Sequence, residues 1–229
     1  MIHLQQVSVE YPNGVRALTD VSLSICKGDF AFIVGATGSG KSTLLRLLYR
    51  ELLPSRGRVI VDGEEVNALR PSQVPYLRRK LGIVFQDFRL LPQKNVWENL
   101  AFALRVVGAH PREIRRRISD ALGLVGLSHR CDSFPHQISG GEQQRAAIAR
   151  ALVNHPTVLI ADEPTGNLDP DTSWEIMQLL DRINVRGTTV LVATHDNQMV
   201  DRLKKRVVQL DAGYLVRDQH QGMYAHCQS

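Results

Sequence analysis

The sequence predicts an α/β fold with a mixed β-sheet core, an antiparallel β subdomain and an α-helical subdomain. Three observations predict it. Continuous apolar runs, typical of strands buried on both faces, occur at 30–34, 158–161 and 190–193. A glycine-rich string at 35–42 separates the first run from a helix-forming segment. Between about residues 88 and 154, apolar residues recur at helical spacing.

We expect a single domain over residues 1–217, since 229 residues are enough for one large domain with a subdomain. Its core is expected at about 1–87 and 155–217. The helical subdomain is expected between them, at about 88–154. Residues 218–229 are polar and are expected to form a C-terminal tail.

The first third of the chain is expected to be rich in β-strands. Val21, Leu23 and Ile25 alternate with polar residues, which is typical of an antiparallel strand with one covered face. Residues 58–61 form another strand-like run that ends in an Asp-Gly turn. A helix is expected from residue 42 to about residue 51.

Helices and strands are both expected in the rest of the chain. The apolar positions of the helical subdomain are Trp97, Leu100, Ala101 and Leu104, then Ile114, Ile118, Leu122 and Val125. Residues 172–183 also show helical spacing and lie between two apolar strands. Residues 207–216, with a turn at 211–213, are expected to close the fold as a hairpin.

The charge distribution leaves two interpretations open. The net charge is +5, and basic residues cluster at 78–80, 112–117 and 202–206. No aromatic residues interleave with these clusters, as a base-stacking surface would require, so we expect no nucleic-acid partner. We interpret the clusters mainly as solvated faces. Contact with anionic lipid head groups is the alternative.

Cysteine content and hydropathy exclude several classes of protein. Cys26, Cys131 and Cys227 form no C-x-x-C pattern, which argues against a disulfide framework or a zinc site. Residues 1–6 lack the pattern of a secretory signal. No stretch approaches the roughly 20 apolar residues that a membrane-spanning helix needs.

The glycine-rich string matches the pattern G-x-x-x-x-G-K-[ST] of a phosphate-binding loop. Its members are Gly35, Ala36, Thr37, Gly38, Ser39, Gly40, Lys41 and Ser42. Glycines let backbone N–H groups turn towards phosphate oxygens. Lys41 adds a positive charge near the β- and γ-phosphates, and Ser42 offers a hydroxyl to Mg²⁺. The following helix directs the positive end of its dipole at the same anion.

Polar side chains at the ends of other predicted strands complete this site. Asp162 follows the run 158–161, and we assign it to hold Mg²⁺. Glu163, one residue later, is expected to polarise the water that attacks the γ-phosphate. His195 ends the run 190–194 and is expected to hydrogen-bond the γ-phosphate. Gln86 ends another apolar run and is expected to contact Mg²⁺ or the attacking water.

A second anion-binding segment lies at Ile138-Ser139-Gly140-Gly141-Glu142-Gln143-Gln144-Arg145, which opens an Ala-rich helix. Ser139 is a plausible N-cap, and backbone N–H groups over two glycines would form a second cradle. One nucleotide in the first loop leaves this cradle without a ligand. The simplest arrangement is a head-to-tail dimer, in which the cradle closes over the partner's ATP. An ordinary capped helix is the alternative interpretation.

These motifs together resemble the ATP-binding-cassette ATPases over residues 1–216. The string at 35–42 resembles the Walker A motif of their P-loop NTPase core, 138–143 the signature and 158–163 the Walker B motif. The signature departs from the usual pattern, with Ile138 in place of Leu and Glu142 where Gln is often found. Its serine and glycines remain.

The resemblance assigns roles to further residues. Gln86 resembles the Q-loop glutamine, His195 the switch histidine, and residues 166–169 the D-loop, which would place Asp169 at the dimer interface. Tyr11 lies where the family stacks an aromatic ring on adenine. The implied ATP-binding set is Tyr11, residues 35–42, Thr43 and Gln86, with Ser139, Gly140, Gly141 and Glu142 binding the partner's ATP. The implied magnesium ligands are Ser42, Gln86 and Asp162.

Within the family, residues 161–169 are similar to those of lipoprotein-release and MacB-type ATPases. Residues 74–87 narrow the similarity to the ATPases of bacterial cell division. This resemblance implies a homodimer that hydrolyses ATP with Mg²⁺. It also implies a membrane partner whose helices dock near Gln86, a peripheral location at the cytoplasmic face of the membrane, and activation of peptidoglycan hydrolysis.

Other functions stay open from the sequence. The chain could serve a MacB-type, lipoprotein-release or other transporter with a different permease. A DNA-maintenance ATPase would need a long coiled-coil insertion between Gln86 and Ser139, and that interval is too short and lacks heptads. A scaffold that binds ATP without hydrolysis would not need Glu163 and His195.

Overall fold

The computed structural model describes residues 1–220. The strands are β1 (Ile2–Glu10), β2 (Arg16–Ile25), β3 (Phe30–Val34), β4 (Arg56–Val61), β5 (Glu64–Glu65), β6 (Leu81–Val84), β7 (Val158–Asp162), β8 (Thr189–Thr194), β9 (Arg206–Asp211) and β10 (Tyr214–Gln219). The helices are α1 (Lys41–Leu48), α2 (Val74–Arg79), α3 (Val96–Val106), α4 (Pro111–Val125), α5 (Gly140–Leu152), α6 (Pro170–Val185) and α7 (Asn197–Leu203).

The strands form two sheets. An antiparallel sheet has the order β2-β1-β4-β5, and a six-stranded sheet has the order β10-β9-β3-β8-β7-β6. In the second sheet β9, β3, β8, β7 and β6 pair in parallel, and β10 adds an antiparallel edge. The parallel arrangement brings the carboxyl ends of β3, β7 and β8 to one edge, which is where ligands bind in such sheets.

Alternate residues of the parallel strands enter two separate hydrophobic cores. In β3, the side chains of Phe30, Phe32 and Val34 pack with α3, α4, α5 and α6, in what we call the helical-side core. The side chains of Ala31 and Ile33 pack with α1 and the antiparallel sheet, in what we call the β-side core. Both faces of the sheet are therefore covered, which explains the continuous apolar runs.

Local capping fixes where the helices of the helical-side core begin. Asn95 and Glu98 form a reciprocal capping box at the start of α3. Asn99 is fully buried, and its side chain accepts a hydrogen bond from the Leu91 amide and donates to the Leu91 carbonyl. The loop that enters the helical region is thus attached to α3 by a buried polar side chain, which satisfies backbone groups that would otherwise be unpaired.

The structure confirms the strands predicted from continuous runs at 30–34, 158–161 and 190–193, the antiparallel strand through Val21 and the hairpin at 207–216. The helix predicted over 42–51 ends earlier, at Leu48, and the helix predicted over 172–183 is longer, at Pro170–Val185. Strand β1 and helices α2 and α7 were not predicted individually. Among the described residues, no helix is long and apolar enough to cross a bilayer.

The expected polar tail begins later than residue 218. Strand β10 continues to Gln219, and Asp218 pairs with Arg206 at 2.7 Å. Arg206 also contacts Asp29 at 3.0 Å, and its side chain is only 9% exposed, so this three-residue cluster attaches the last strand to the sheet. The remainder of the predicted tail, including Cys227, lies outside the described residues.

Candidate functional site

The phosphate-binding loop connects β3 to α1 in a conformation that requires glycine. Gly35 and Gly40 have φ values of 150° and 105°. A Cβ on Gly35 would lie 2.2 Å from the Leu210 carbonyl oxygen, and one on Gly40 would lie 2.5 Å from the Ala17 carbonyl oxygen. Strand β9 and the start of β2 therefore lie directly against the loop. A side chain at either glycine would have to displace the backbone of these strands.

The Lys41 side chain contacts the first residues of this loop. It is buried, and its Nζ donates to the carbonyl oxygens of Gly35 at 2.7 Å and Ala36 at 3.0 Å. No side chain caps α1, whose N-cap residue is Gly40 in the left-handed region. The first-turn N–H groups of α1 and the Lys41 ammonium group are thus the donors that a phosphate group would meet.

The turn between β1 and β2 brings Tyr11 to the same place. The Tyr11 hydroxyl lies 3.0 Å from the Thr43 hydroxyl, and Thr43 is buried in α1. Tyr11 is half-buried, with its backbone closing the turn through a hydrogen bond to the Val15 carbonyl. The aromatic ring predicted to stack on adenine is thus attached to the helix that follows the phosphate-binding loop.

Asp162 and Ser42 meet at the carboxyl edge of the sheet. The Ser42 hydroxyl donates to Asp162 Oδ1 at 3.2 Å, although 120 residues separate the two in sequence. Burial raises the pKa of the Asp162 carboxyl above its ordinary value, and the Ser42 hydrogen bond partly offsets this effect. A hydroxyl and a partly desolvated carboxylate are the oxygen donors that suit Mg²⁺, so these residues fit that cation.

Glu163 and His195 form the second pair at this edge. His195 Nδ1 lies 2.9 Å from Glu163 Oε1, which joins the residues that follow β7 and β8. The Glu163 side chain is 17% exposed and the His195 side chain 65% exposed. Glu163 has a φ of 48°, and its backbone N–H donates to the Ala193 carbonyl at 2.9 Å. Its carboxylate is therefore fixed from two directions.

Gln86 contacts Asn167 of the expected D-loop. Its backbone carbonyl accepts a hydrogen bond from Asn167 Nδ2 at 3.1 Å, and its Nε2 lies 3.5 Å from Asn167 Oδ1. A Cβ on Gly166 would approach Gln86 Nε2 to 2.8 Å. The structure therefore joins the two loops that follow β6 and β7.

Ser139 is the N-cap of α5, as the sequence predicts. Its hydroxyl accepts a hydrogen bond from the Glu142 amide, while the Glu142 carboxylate accepts one from the Ser139 amide at 2.8 Å. Arg130 also donates to Glu142 at 3.0 Å. The Ser139 amide is the main cause that lowers the pKa of the Glu142 carboxyl below its ordinary value, and Arg130 adds to the effect.

The predicted second cradle does not meet the phosphate-binding loop within one chain. Helix α5 belongs to the helical-side core and α1 to the β-side core. Within residues 1–220, no hydrogen bond or ion pair joins segment 138–145 to segment 35–43. Asp169 serves as the N-cap of α6, and its carboxylate accepts a hydrogen bond from the Thr172 amide at 2.9 Å.

Sequence reasoning did not identify two residues that link these loops to α5. Gln144 is fully buried, and its Nε2 donates to the Pro164 carbonyl at 2.6 Å. Arg150 donates to the carbonyl of Phe88 at 2.9 Å and also to that of Arg89. Gln144 belongs to the segment 138–145 and Arg150 to the Ala-rich helix that follows, but nothing in either pattern indicated these hydrogen bonds.

Comparison with known proteins assigns the chain to a family. The family model described as ABC transporter matches residues 18–166. The cell division ATP-binding protein FtsE of Mycobacterium tuberculosis (strain H37Rv) is 54% identical over 225 residues, covering 98% of this chain and 98% of that protein. The protein of the same name from Bacillus subtilis (strain 168) is 50% identical over 224 residues, with the same coverage of both chains.

A solved structure supports the same assignment. The ATP-binding cassette MJ0796, determined as a dimer in a post-hydrolysis state bound to ADP and Pi, matches with a TM-score of 0.87 and 36% identity. The match covers 98% of this chain and 100% of that chain. Together with the order of motifs along the sheet edge, these similarities show that the chain belongs to the ABC transporter family, in the group that includes the FtsE cell division ATP-binding proteins.

Proposed function

We propose that the chain is the ATP-hydrolysing subunit of an FtsEX-type complex, which drives the membrane protein FtsX and thereby activates peptidoglycan hydrolysis during cell division. The observation that carries the hydrolytic function is the 2.9 Å contact between Glu163 and His195. It lies beside the contact between Asp162 and Ser42, because Glu163 directly follows Asp162 in the sequence. The names of the relatives support the role in cell division over that of a MacB-type or lipoprotein-release transporter.

In this proposal the triphosphate lies on the loop at 35–42, where Lys41 and the amides of α1 bind it. Ser42, Asp162 and Gln86 would hold Mg²⁺, which neutralises charge on the β- and γ-phosphates when bound. The oxygen donors of Ser42 and Asp162 already lie together at 3.2 Å. Tyr11 would stack on the adenine ring.

Glu163 is the proposed general base for the attacking water. A carboxylate that is 17% exposed and fixed through its backbone can accept the proton of the water without reorganisation. His195 holds Glu163 Oε1 and, being 65% exposed, is accessible to hydrogen-bond the γ-phosphate. Together the two side chains would orient the water and stabilise the negative charge of the transferring phosphoryl group.

The second half of the pocket would come from another copy of the chain. Ser139, Gly140, Gly141 and Glu142 would close over the γ-phosphate of the partner's ATP, and Asp169 would lie at the interface. The arrangement of α5 supports this, because its capped N-terminus belongs to a different core from the phosphate-binding loop of the same chain. The dimeric state of the cassette MJ0796 supports it as well.

FtsX would dock on a groove of about 460 Å³ bordered by α2, α3 and α5. Phe102 and Val106 line it with 48% and 65% exposure. Arg150 also lines the groove and bonds to the carbonyl of Phe88, two residues after Gln86. Docking there would hold the chain at the cytoplasmic face of the plasma membrane as a peripheral subunit and would connect FtsX to the ATP site.

The decisive experiment is Glu163→Gln in the full chain with ATP and Mg²⁺. Without the general base, phosphate release should fall by about 10²-fold or more, while ATP binding persists. The variant should accumulate as an ATP-bound dimer in size-exclusion chromatography with light scattering. Glu113→Gln, which removes an exposed carboxylate of α4, is the control and should hydrolyse ATP like the wild type.

A Glu163→Gln monomer that releases phosphate at the wild-type rate would refute both the base and the dimer. A dimer that still hydrolyses ATP at the wild-type rate would refute the role of Glu163 alone.

A further inference from the structure

The first turns of α5 pack directly against residues 164–172, which we call the post-glutamate segment because it follows Glu163. A Cβ on Gly141 would lie 2.4 Å from Thr172 Cγ2, and one on Gly140 would lie 3.3 Å from Leu168 Cδ2. The close approach at Gly141 therefore depends on the missing side chain. The signature end of α5 and this segment are one packed unit.

Gln144 adds a directed polar contact to this packing. It is fully buried, and its Nε2 donates to the Pro164 carbonyl oxygen at 2.6 Å. Pro164 is the residue immediately after Glu163. One hydrogen bond and one peptide unit therefore separate the signature helix from the catalytic carboxylate of the same chain.

The Gln144 amide is only half satisfied. Gln144 Oε1 is buried and accepts no hydrogen bond from the described residues. An apolar side chain of similar volume would avoid this unpartnered oxygen, but it would leave the buried Pro164 carbonyl without the Gln144 donor. The contact that distinguishes glutamine from leucine here is the bond to the Pro164 carbonyl.

Backbone hydrogen bonds hold Glu163, the residue that is bonded directly to Pro164. The Glu163 amide donates to the Ala193 carbonyl at 2.9 Å, and the Gly166 amide donates to the Glu163 carbonyl at 3.1 Å. Glu163 also has a φ of 48°, a conformation that only its surroundings maintain. Because Pro164 is bonded directly to Glu163, we expect a shift of Pro164 to alter the orientation of the Glu163 side chain relative to His195.

We propose that Gln144 is a positioning residue that transmits closure of α5 over the partner's ATP to Glu163, which acts on the ATP bound by its own chain. The inference rests on the proposed function, which supplies the two-copy pocket and the role of Glu163. Each chain would then adjust its own catalytic carboxylate according to the occupancy of the neighbouring site. The two ATP sites would be coupled through two residues of the same polypeptide.

The test is Gln144→Leu in the full chain, with phosphate release measured across ATP concentrations and ATP binding measured separately. Because the loop at 35–42 is untouched, the dissociation constant for ATP should not change. Misplacement of Glu163 should lower kcat by about 10- to 100-fold. If the two sites are coupled as proposed, the wild type should hydrolyse ATP with a Hill coefficient above 1, and loss of coupling should bring the coefficient of the variant to about 1.

Glu175→Gln is the matched control. Glu175 of α6 pairs with Arg145 of α5 at 3.1 Å, so this change also removes a contact between the two helices, but one that does not lead to Glu163. Its kcat and Hill coefficient should remain those of the wild type. Gln144→Met is a second variant, which fills the same volume without branching and provides the test if the leucine variant does not fold.

Melting temperatures separate positioning from folding. Folded Gln144 variants with low kcat, unchanged ATP binding and a Hill coefficient near 1 support the proposal. Wild-type kcat and cooperativity in either folded variant overturn it, and so does a loss of kcat that only follows the folded fraction. Glu163→Gln in the same assay reports on the proposed function, since that variant fails to hydrolyse ATP only if Glu163 is the base.

Discussion

Gly35 and Gly38 both have positive φ values, 150° and 84°, but their surroundings differ. A Cβ on Gly35 would lie 2.2 Å from the Leu210 carbonyl oxygen and 2.5 Å from Ser39 Oγ, whereas one on Gly38 would meet nothing within 4 Å. The first glycine is required by both conformation and space, the second by conformation alone. The loop is thus shaped partly by β9, which lies far away in sequence.

This difference predicts unequal effects of alanine. Gly35→Ala combines backbone strain with a clash and should destabilise the fold by about 2–5 kcal/mol and abolish ATP binding. Gly38→Ala adds strain only and should cost about 1 kcal/mol. Urea denaturation and ATP titration of the two variants measure this. Equal losses of stability would show that β9 does not constrain the loop.

Side-chain placement was only partly predictable from the sequence. Residues that follow parallel strands meet at one edge, so the proximity of Asp162, Glu163 and His195 followed from the apolar runs before them. The contact of Gln86 with Asn167 depends on the path of two loops, and no local pattern encodes it. The same holds for the hydrogen bond between Tyr11 and Thr43.

At the scale of elements, the N-terminus of α5 is stabilised by charge as well as by capping. The Glu142 carboxylate, 15% exposed, accepts hydrogen bonds from the Ser139 amide and from Arg130. These bonds lower the pKa of the carboxyl in the folded state, so the stabilisation is present above the ordinary pKa and is lost as the pH falls through the lowered one.

Glu142→Gln should therefore be less stable than the wild type at pH 7, by about 1 kcal/mol, because it keeps the cap but loses the charge. The difference in stability between the two proteins should disappear as the pH falls below the ordinary pKa range of carboxyl groups. There the wild-type carboxyl is protonated in both the folded and the unfolded state. Chemical denaturation at a series of pH values checks this. A gap that stays constant down to acidic pH would rule out the electrostatic contribution.

Element boundaries were predictable where burial is complete. Strands β3, β7 and β8 have apolar residues on both faces, so a short continuous run identifies them. Strand β1 has polar residues and register shifts, which obscure its alternation. Helix α7 has only seven residues and two buried side chains, too few for a periodic signal.

On the scale of the whole molecule, the parallel sheet separates two cores while its carboxyl edge gathers residues from both sides. The phosphate-binding loop and α1 belong to the β-side core, and α5 belongs to the helical-side core. The groove proposed for FtsX lies where α2, whose buried Leu77 belongs to the β-side core, meets α3 and α5 of the helical-side core. A partner bound there would act first on the helices and only through them on the ATP site.

If FtsX docks in this groove, Val106→Lys should abolish its binding. When the two proteins are expressed together and the membranes are solubilised in detergent, a pulldown of the variant should no longer recover FtsX. A lysine ammonium placed against apolar side chains of the groove is costly to desolvate. Binding of ATP to the isolated variant should be unchanged. Val185→Lys, at a valine of α6 that is 78% exposed and outside the groove, is the control and should retain FtsX. Equal recovery with both variants would place the docking surface elsewhere.

The left-handed backbone conformation at Glu163 implies a trade-off between the stability of the fold and ATP hydrolysis. Glycine would adopt a φ of 48° without strain and would relax the fold by on the order of 1 kcal/mol, but it would remove the carboxylate. In the proposed mechanism, the carboxylate that hydrolysis requires is thus kept at the cost of backbone strain.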